Sequence, residues 1–317
     1  MSDMKAIMMR RFGGPDVLQL ETVKRPTPGD GEILVRVSAT SVNPIDFKTR
    51  EGALRRVVDE SKLPVILGRD VSGIIEQVGR GVSGWRVRDA IFARPGLDRG
   101  CYAEFVILKP EEIAPAPKNI SLADAGAIPL AAMTAWQGLI KHGKLQSGQR
   151  ALIHGGAGGV GHFAVQFAKR IGATVFATCS GRDKAFVERL GADVAIDYRS
   201  EQFERIATDI DLVLDLVGGE TQRRSWAVLR SDGLLASPIQ KPDDDLARAA
   251  GVQPGRFYMV EASSSDLSEI GRLCESSAVK VVISERYVLE RVAEAQAALE
   301  RGGVRGKLLV LVAAETR

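Results

Sequence analysis

The sequence contains little cysteine, histidine or aromatic side chain for its 317 residues. Its three cysteines are isolated and widely spaced: Cys101, Cys179 and Cys274. This spacing excludes a structural zinc cluster of four cysteines and is typical of a reducing compartment, so we expect a cytoplasmic protein. The three histidines, His142, His154 and His162, have no metal-ligand spacing with a cysteine. We therefore expect no metal site.

Long apolar runs and a strong excess of one charge are also missing. The most apolar window, residues 125–140, contains Pro129 and is too short to span a bilayer, so no membrane partner is expected. The N-terminal residues lack the apolar stretch of a secretory signal. The formal net charge is only +3, with basic residues scattered among acids, so nucleic acid is not expected as a main partner. An acidic small-molecule ligand remains compatible with this charge.

The first hundred residues consist of short β-type runs separated by Gly, Pro and Asp, including residues 6–9, 17–23, 32–42, 73–79, 89–93 and 102–108. Helical periodicity is weak before residue 120. Pro115 and Pro117 then stiffen a linker, and Ser121 followed by Asp124 predicts the start of a helix that ends near Lys141. We therefore predict a β-rich domain over 1–117.

From Arg150 onward, apolar runs alternate with amphipathic stretches, as in a parallel sheet covered by helices on both faces. We predict an α/β fold with a doubly wound parallel-sheet domain over 118–263. A further strand is expected at 256–262, followed by a helix capped by Ser265. Residues 264–317 contain this helix and a closing strand, helix and strand.

The strongest chemical signal is a GxGxxG motif formed by Gly156, Ala157, Gly158, Gly159, Val160 and Gly161. It follows the predicted strand 151–154 and opens a helix that runs through Arg170. A pyrophosphate in this position is bound by backbone N–H groups and the positive end of the helix dipole, and side chains on the loop would hold it away. In this context the motif predicts a dinucleotide site. The alternative is a glycine-rich turn that binds nothing.

The end of the second strand of this domain selects between NADH and NADPH, because an acidic residue there binds the ribose 2′-hydroxyl of NAD. The strand ends at Ser180 and is followed by Arg182 and Lys184, which offer a hydroxyl and two cations to a 2′-phosphate. The sequence therefore predicts NADPH. The alternative is that both cations are solvated residues at the start of the next helix.

Several blocks in order resemble the medium-chain dehydrogenase/reductase superfamily, and within it the zinc-free quinone oxidoreductase group. They are SVNPIDFKTREG at 41–52, LGRDVSGIIEQVG at 67–79, GCYAEFVIL at 100–108, AGAIPLAAMTAWQGL at 125–139, HGGAGGVGHFAVQFAK at 154–169 and the closing GKLLVLV. The resemblance implies an N-terminal GroES-like catalytic domain, an inserted Rossmann domain and a return of residues 264–317 to the catalytic domain. It also implies a homodimer or homotetramer formed through the edge strand at 256–262.

The same resemblance implies roles for individual residues. Asn43 and Lys307 would lie near the nicotinamide, Thr134 would contact the cofactor, Tyr198 would flank the 2′-phosphate, and Val217 with Gly218 would cover the dinucleotide. Catalytic roles are expected for Asn43, Asp46 and Arg69. Lys48 and Arg50 are further candidate donors to the oxygen that gains charge. Alternatively, Asn43 caps a turn before Pro44, Asp46 holds that turn, and Arg69 forms a structural ion pair with Asp46 or Asp70.

Zinc-dependent relatives have a cysteine at position 43 and a histidine at position 69, whereas this sequence has Asn43 and Arg69, which are not zinc ligands. We therefore expect NADPH-dependent hydride transfer to a quinone, enone or aldehyde without zinc. Enoyl-thioester reductases of this superfamily use a tyrosine shortly after the NPxD segment as proton donor. Here Gly52 is followed by Ala53 and Leu54, which counts against the thioester-reductase branch. Two alternative functions are an NADPH-binding regulatory or RNA-associated protein with little catalysis, and a zinc-type alcohol dehydrogenase.

Overall fold

The computed structural model describes residues 2–55 and 58–312, which form two compact units. The first unit runs to Leu130 and resumes at Ala262, and the second unit is Ala131–Glu261. The sequence-based boundaries at 118 and 264 differ from these. The helix Leu122–Ala125 belongs to the first unit because Ala123 and Ala127 pack with Ala39 and Leu309.

The first unit contains two β-sheets. A three-stranded sheet has Asp3–Met9 between Leu18–Lys24 and Val65–Ile66. A seven-stranded sheet follows the order Ile283–Val288, Lys307–Leu311, Ile33–Ser41, Val71–Val78, Ala90–Ala93, Ile113–Pro115, with Phe105–Leu108 also paired to Ile33–Ser41. The last two strands along the chain return to this sheet, because Lys307–Leu311 pairs antiparallel with Ile33–Ser41. The residues with predicted catalytic roles lie next to this sheet, because Asn43 and Asp46 follow Ile33–Ser41 and Arg69 precedes Val71–Val78.

The predicted N-terminal strands are confirmed, and the helices require three corrections. A helix forms at Pro44–Arg50, although helical periodicity is weak there. The predicted continuous helix from Ser121 to Lys141 is wrong, because Pro129 begins a new helix at Pro129–Trp136 and a π-helical turn follows at Gln137–His142. Ser121 does accept a hydrogen bond from the N–H of Asp124 at 3.0 Å.

The helix Ser264–Glu275 is capped by Ser263, whose hydroxyl accepts from the N–H of Asp266 at 3.1 Å. The prediction of Ser265 as the cap is wrong, since the helix begins two residues before the expected start. Val292–Glu300 is the remaining helix of the first unit.

The second unit is a six-stranded parallel sheet with the order Val194–Asp197, Thr174–Cys179, Arg150–Ile153, Ile210–Leu214, Leu229–Ser237, Arg256–Phe257. In chain order this is 3-2-1-4-5-6, the strand order of a dinucleotide-binding sheet, with the reversal beside Arg150–Ile153. Its helices are Gly161–Ile171, Lys184–Arg189, Gly219–Ser225 and Asp244–Ala249. The predicted α/β class and parallel sheet are confirmed. The predicted strand at 256–262 is only two residues long.

Short 3-10 turns connect many of these elements, at Pro15–Val17, Glu60–Lys62, Pro110–Glu112, Gly181–Asp183, Phe203–Arg205, Trp226–Val228 and Leu289–Arg291. The strands Thr174–Cys179 and Ile210–Leu214 are almost entirely buried, as expected when helices cover both faces of a sheet. All three cysteines are buried free thiols. Within the described ranges, no helix combines the length and apolar character needed to cross a membrane.

Candidate functional site

The glycine motif lies where the sequence predicts it, between the strand Arg150–Ile153 and the helix Gly161–Ile171. Gly155 adopts a φ of 74°, which favours glycine. A Cβ on Gly161 would lie 2.1 Å from the carbonyl oxygen of Gly155, whereas a Cβ on Gly158 would lie 3.4 Å from that oxygen. Gly161 is therefore required by backbone packing, while Gly158 has room on the protein side. The bare loop and the N-terminus of the eleven-residue helix fit a bound pyrophosphate.

These distances predict different results for two single substitutions. Gly161→Ala should destabilise the protein by about 3 kcal/mol, because the new methyl overlaps backbone. Gly158→Ala should leave the unfolding free energy nearly unchanged but weaken dinucleotide binding at least about tenfold, since its methyl would hold the pyrophosphate away. Denaturant unfolding and fluorescence titration with NADPH measure the two effects. Equal behaviour of the two variants would contradict this division of roles.

Two buried polar side chains, Thr178 and His154, hold the base of the glycine loop. Neither was predicted from the sequence to have a role. Thr178 accepts from the N–H of Gly155 at 3.2 Å through its hydroxyl, and its carbonyl accepts from the N–H of Gly156 at 2.8 Å. His154 places Nδ1 3.1 Å from the Thr178 hydroxyl and Nε2 2.9 Å from the Ser225 hydroxyl. Burial lowers the pKa of His154 to about 4, so the ring is neutral at pH 7 and links loop, strand and helix.

The predicted 2′-phosphate group lies at the carboxyl end of the strand Thr174–Cys179. The Ser180 hydroxyl donates to the Asp183 carboxylate, and Arg182 Nε lies 3.7 Å from that carboxylate. Lys184 Nζ donates to Glu201 at 2.8 Å, and this bond raises its pKa. Arg182 and Lys184 each have an acidic partner and have side chains 64% and 36% exposed, and their binding of a 2′-phosphate stays a prediction. Lys184 has three N–H donors, so it can bind Glu201 and a phosphate together.

Tyr198 follows the neighbouring strand Val194–Asp197 and is 57% exposed. The next residue, Arg199, was not predicted from the sequence, and its guanidinium lies 5.6 Å from the Tyr198 ring centroid. The sequence signal that could have identified Arg199 was its position directly after Asp197 and Tyr198. The ends of these two neighbouring strands therefore bring the predicted 2′-phosphate residues to one edge of the parallel sheet, namely Ser180, Arg182, Lys184 and Tyr198. Arg199 adds a further cation at this edge.

The remaining predicted cofactor residues of the second unit lie in two places. The Thr134 carbonyl accepts from the Tyr258 hydroxyl at 2.9 Å, and Thr134 is 7% exposed. Val217 is 52% exposed after the strand Ile210–Leu214. The N–H groups of Val217 and Gly218 donate to Asp215 at 3.0 Å and 2.8 Å, so a buried carboxylate fixes this turn. Their contacts with a cofactor stay predictions.

In the first unit, Asp70 is the centre of a buried polar network that was not predicted from the sequence. It accepts from the Ser41 hydroxyl, from Asn43 Nδ2 at 2.7 Å and from the Leu130 N–H at 2.6 Å. Lys307 Nζ lies 3.5 Å from the same carboxylate and also donates to Asn43 Oδ1. Burial lowers the pKa of Lys307, and Asp70 opposes this shift. Both ends of the Asn43 amide are therefore held by charged partners.

Asp46 is also buried and closes the capping box of the helix Pro44–Arg50. It accepts from the Asn43 N–H at 2.8 Å and from the Tyr102 hydroxyl at 2.9 Å. Burial raises its pKa to about 6, opposed by the charge of Arg69. The structure thus supports the turn-holding alternative for Asp46, whereas Asn43 is the N-cap residue but its amide binds Asp70 and Lys307. The catalytic roles of both residues stay predictions.

Arg69 donates through Nη1 to the carbonyls of Gly96 at 3.1 Å and Arg99 at 2.7 Å. It also lines an apolar cavity of the first unit with a volume of about 1040 Å³. Arg50 is a poor candidate donor, because its buried guanidinium is bound to Glu300, Gln296 and the Gly13 carbonyl. Lys48 is half-buried on the same helix.

Two sequence models of protein families match the chain, an "Alcohol dehydrogenase GroES-like domain" over residues 29–118 and a "Zinc-binding dehydrogenase" over residues 190–310. A 2-methylene-furan-3-one reductase of Solanum lycopersicum is 34% identical, with 98% of this chain and 79% of that protein covered. The chain belongs to the medium-chain dehydrogenase/reductase superfamily. The predicted family and its GroES-like plus parallel-sheet architecture are confirmed.

Two other members of the superfamily are also similar to this chain. An NADPH-dependent alkenal/one oxidoreductase of the Arabidopsis thaliana chloroplast is 33% identical, with 97% of this chain and 79% of that protein covered. The solved structure of the quinone oxidoreductase from Coxiella burnetii has 34% identity and a TM-score of 0.93, with 98% of this chain and all of that chain covered.

One family description mentions zinc, and the residues of this superfamily member do not fit that metal. At position 43 the amide is held by Asp70 and Lys307, and at position 69 a protonated guanidinium donates to carbonyls. A guanidinium offers no lone pair to a cation. Over residues 2–55 and 58–312, no group of three His, Cys, Asp or Glu side chains is placed to hold a metal.

Proposed function

We propose that this protein is an oxidoreductase that transfers a hydride from NADPH to a quinone or an α,β-unsaturated carbonyl compound without zinc. The observation that carries the choice of cofactor is Ser180 at the end of the second parallel strand, with Arg182 and Lys184 beside it. The related reductases of alkenals, furanones and quinones support the class of acceptor.

NADPH supplies the hydride, and the chain's own residues bind, orient and stabilise charge. The glycine loop and helix dipole would hold the pyrophosphate, and Ser180, Arg182, Lys184 and Tyr198 would bind the 2′-phosphate. As the hydride adds to the carbon β to the carbonyl, negative charge develops on the acceptor oxygen. Of the three residues with predicted catalytic roles, Arg69 is the candidate donor, because it is permanently charged and lines the cavity. Solvent would deliver the proton.

The proposal is tested by steady-state oxidation of NADPH and NADH with 1,4-benzoquinone and with an enone. We expect kcat/KM to be at least about tenfold higher with NADPH than with NADH, because NADH lacks the 2′-phosphate and so loses at least one charge-assisted contact. Equal use of both nucleotides would refute the role of Ser180, Arg182 and Lys184. Binding of NADPH without turnover of either acceptor would favour a regulatory protein, and stoichiometric zinc after purification without chelators would favour an alcohol dehydrogenase.

We further propose that two copies associate through the strand Arg256–Phe257, giving a homodimer or, by further pairing, a homotetramer. This strand lies at the edge of the parallel sheet, and Phe257 and Met259 are 44% and 52% exposed. An apolar sheet edge of this kind favours pairing with a second copy. Sedimentation equilibrium should return about twice or four times the 34.1 kDa chain mass, and a mass equal to one chain would contradict the proposal. The cytoplasmic location stays a prediction.

A further inference from the structure

The strand Phe105–Leu108 carries apolar side chains on both of its faces. Val106 and Leu108 point to one face and are buried in the core of the seven-stranded sheet. Phe105 and Ile107 point to the other face and are half-buried. An antiparallel strand with one face in the core and the other in water normally alternates apolar with polar residues. The second face of this strand is therefore built for contact with apolar groups rather than with water.

Two methionines of the first strand contribute to the same apolar surface. Met4 and Met8 lie on one face of the strand Asp3–Met9 and are 6% and 9% exposed. They belong to a small cluster against which Phe105 packs. Both methionines line the apolar cavity described above, together with Phe105 and Ile107. Methionine is unbranched and adapts its shape to a ligand, so this wall suits a flexible alkyl chain.

The cavity also offers one fixed cation beside the apolar wall. Arg69 is buried, and the carbonyls of Gly96 and Arg99 hold its guanidinium by hydrogen bonds of 3.1 Å and 2.7 Å. Among the described lining residues Asp98 is the one acid, and Arg99 pairs with it at 3.2 Å. A carbonyl oxygen can thus bind to Arg69 while the rest of the ligand contacts apolar side chains. This arrangement suits a neutral molecule with one polar end.

The size of the cavity exceeds what a small quinone would fill. Pockets of about 300–1,000 Å³ bury most of the surface of a drug-sized ligand. The volume of about 1040 Å³ lies at the upper end of that range. 1,4-Benzoquinone is a single small ring and would leave most of the apolar wall in contact with water. Lys24 and Lys62 also line the cavity, but both are exposed, so water hydrates their charges.

We propose that this cavity binds an apolar chain attached to the conjugated carbonyl of the acceptor, so that the natural substrate is an enone or quinone with a chain of several carbons. This inference rests on the proposed function, because it names the class of acceptor for that reaction. Arg69 keeps its role at the carbonyl oxygen, and Leu97, Phe105 and Ile107 contact the chain. Each CH₂ group that leaves water strengthens binding, so affinity grows with the length of the chain.

A suitable pair of probes is pent-3-en-2-one and non-3-en-2-one. They share the same conjugated ketone and differ only in the length of the alkyl chain on the β carbon. In the reaction, hydride from NADPH adds to that β carbon, the C=C electron pair moves to give an enolate, and solvent protonates the α carbon. The products are pentan-2-one or nonan-2-one and NADP⁺. The ratio of the two kcat/KM values therefore isolates recognition of the chain.

We expect the wild type to prefer non-3-en-2-one at least about tenfold, because each buried CH₂ group strengthens binding about twofold to fourfold. Leu97→Asn combined with Ile107→Thr makes the wall polar with little change in volume. This wall variant should lower the preference about fivefold or more, while changing turnover of pent-3-en-2-one by less than about threefold.

Leu20→Asn combined with Val87→Thr is the matched control, because it makes the same kinds of change at two residues of the same unit outside the cavity lining. Leu20 and Val87 are 40% and 55% exposed. The control should leave turnover of both enones unchanged. Leu97→Asn alone is the milder wall variant, since Leu97 is half-buried on the connection between Ala90–Ala93 and Phe105–Leu108. It should lower the preference about twofold or more.

Binding gives a readout that does not need turnover. Calorimetric titration should show that nonan-2-one binds the wild type and the control more tightly than pentan-2-one, and that the wall variant loses most of this difference. No preference for the longer enone in the wild type, a preference that survives both wall variants, or equal loss of both enones in Leu97→Asn would overturn the proposal. If neither enone is reduced but binding of nonan-2-one still depends on Leu97 and Ile107, the proposed function fails and the apolar site stands.

Discussion

Replacing both Arg182 and Lys184 with alanine should raise the KM for NADPH roughly 30-fold to 100-fold while changing the KM for NADH less than about twofold. Only the 2′-phosphate distinguishes the two nucleotides, and both cations lie beside Ser180. Each charge-assisted hydrogen bond contributes about 1.5–3 kcal/mol, and the exposure of both side chains reduces the combined loss to about 2–3 kcal/mol. Steady-state kinetics with both nucleotides measure the effect.

Glu201→Gln provides a control of opposite sign. It removes the acid that holds Lys184, so the KM for NADPH should fall while the KM for NADH stays unchanged. Lys169→Ala combined with Arg170→Ala removes two cations elsewhere in the same unit and should change neither constant. Parallel increases in both KM values for the Arg182 and Lys184 variant would mean that these residues act on the shared part of the dinucleotide.

Asp70→Asn should lower the unfolding free energy by about 3–5 kcal/mol, because it leaves the buried Lys307 without its acid. For a protein of this size, this corresponds to a fall in thermal midpoint of roughly 10 °C. The substitution preserves volume, so the loss reports charge and hydrogen bonding rather than packing. Differential scanning calorimetry of the purified variant measures the shift.

A double-mutant cycle separates the ion pair from the other bonds of Asp70. Asp70→Asn combined with Lys307→Met should be more stable than Asp70→Asn alone, because no unpaired charge remains buried. Ser41→Ala removes one hydrogen bond to the same carboxylate and should cost only about 1–2 kcal/mol. Additive losses in the double variant would show that Lys307 and Asp70 do not stabilise each other.

The parallel-sheet unit was predictable from sequence because its signals are local. The glycine motif, the strand before it and the helix after it are contiguous, and the carboxyl ends of adjacent parallel strands meet at one edge. Ser180 and Tyr198 therefore come together, as expected, although they belong to different strands. Arg199 was missed because a single arginine beside a predicted residue has no distinguishing pattern.

The buried network of the first unit was not predictable in the same way. Asp70, Asn43 and Lys307 are far apart in sequence, and they meet because Lys307–Leu311 returns to pair with Ile33–Ser41. The helix errors have local causes, because Pro129 interrupts one apolar segment and Ser263, rather than the nearby Ser265, caps the other helix.

The three buried cysteines have a consequence for an enzyme that handles quinones and enones, since these compounds alkylate thiolates. Burial raises the pKa of Cys179 to about 11 and that of Cys274 to about 12, and it raises the pKa of Cys101 as well. At neutral pH all three thiols are protonated and shielded from solvent. The fold therefore resists inactivation by the electrophiles on which the enzyme is proposed to act.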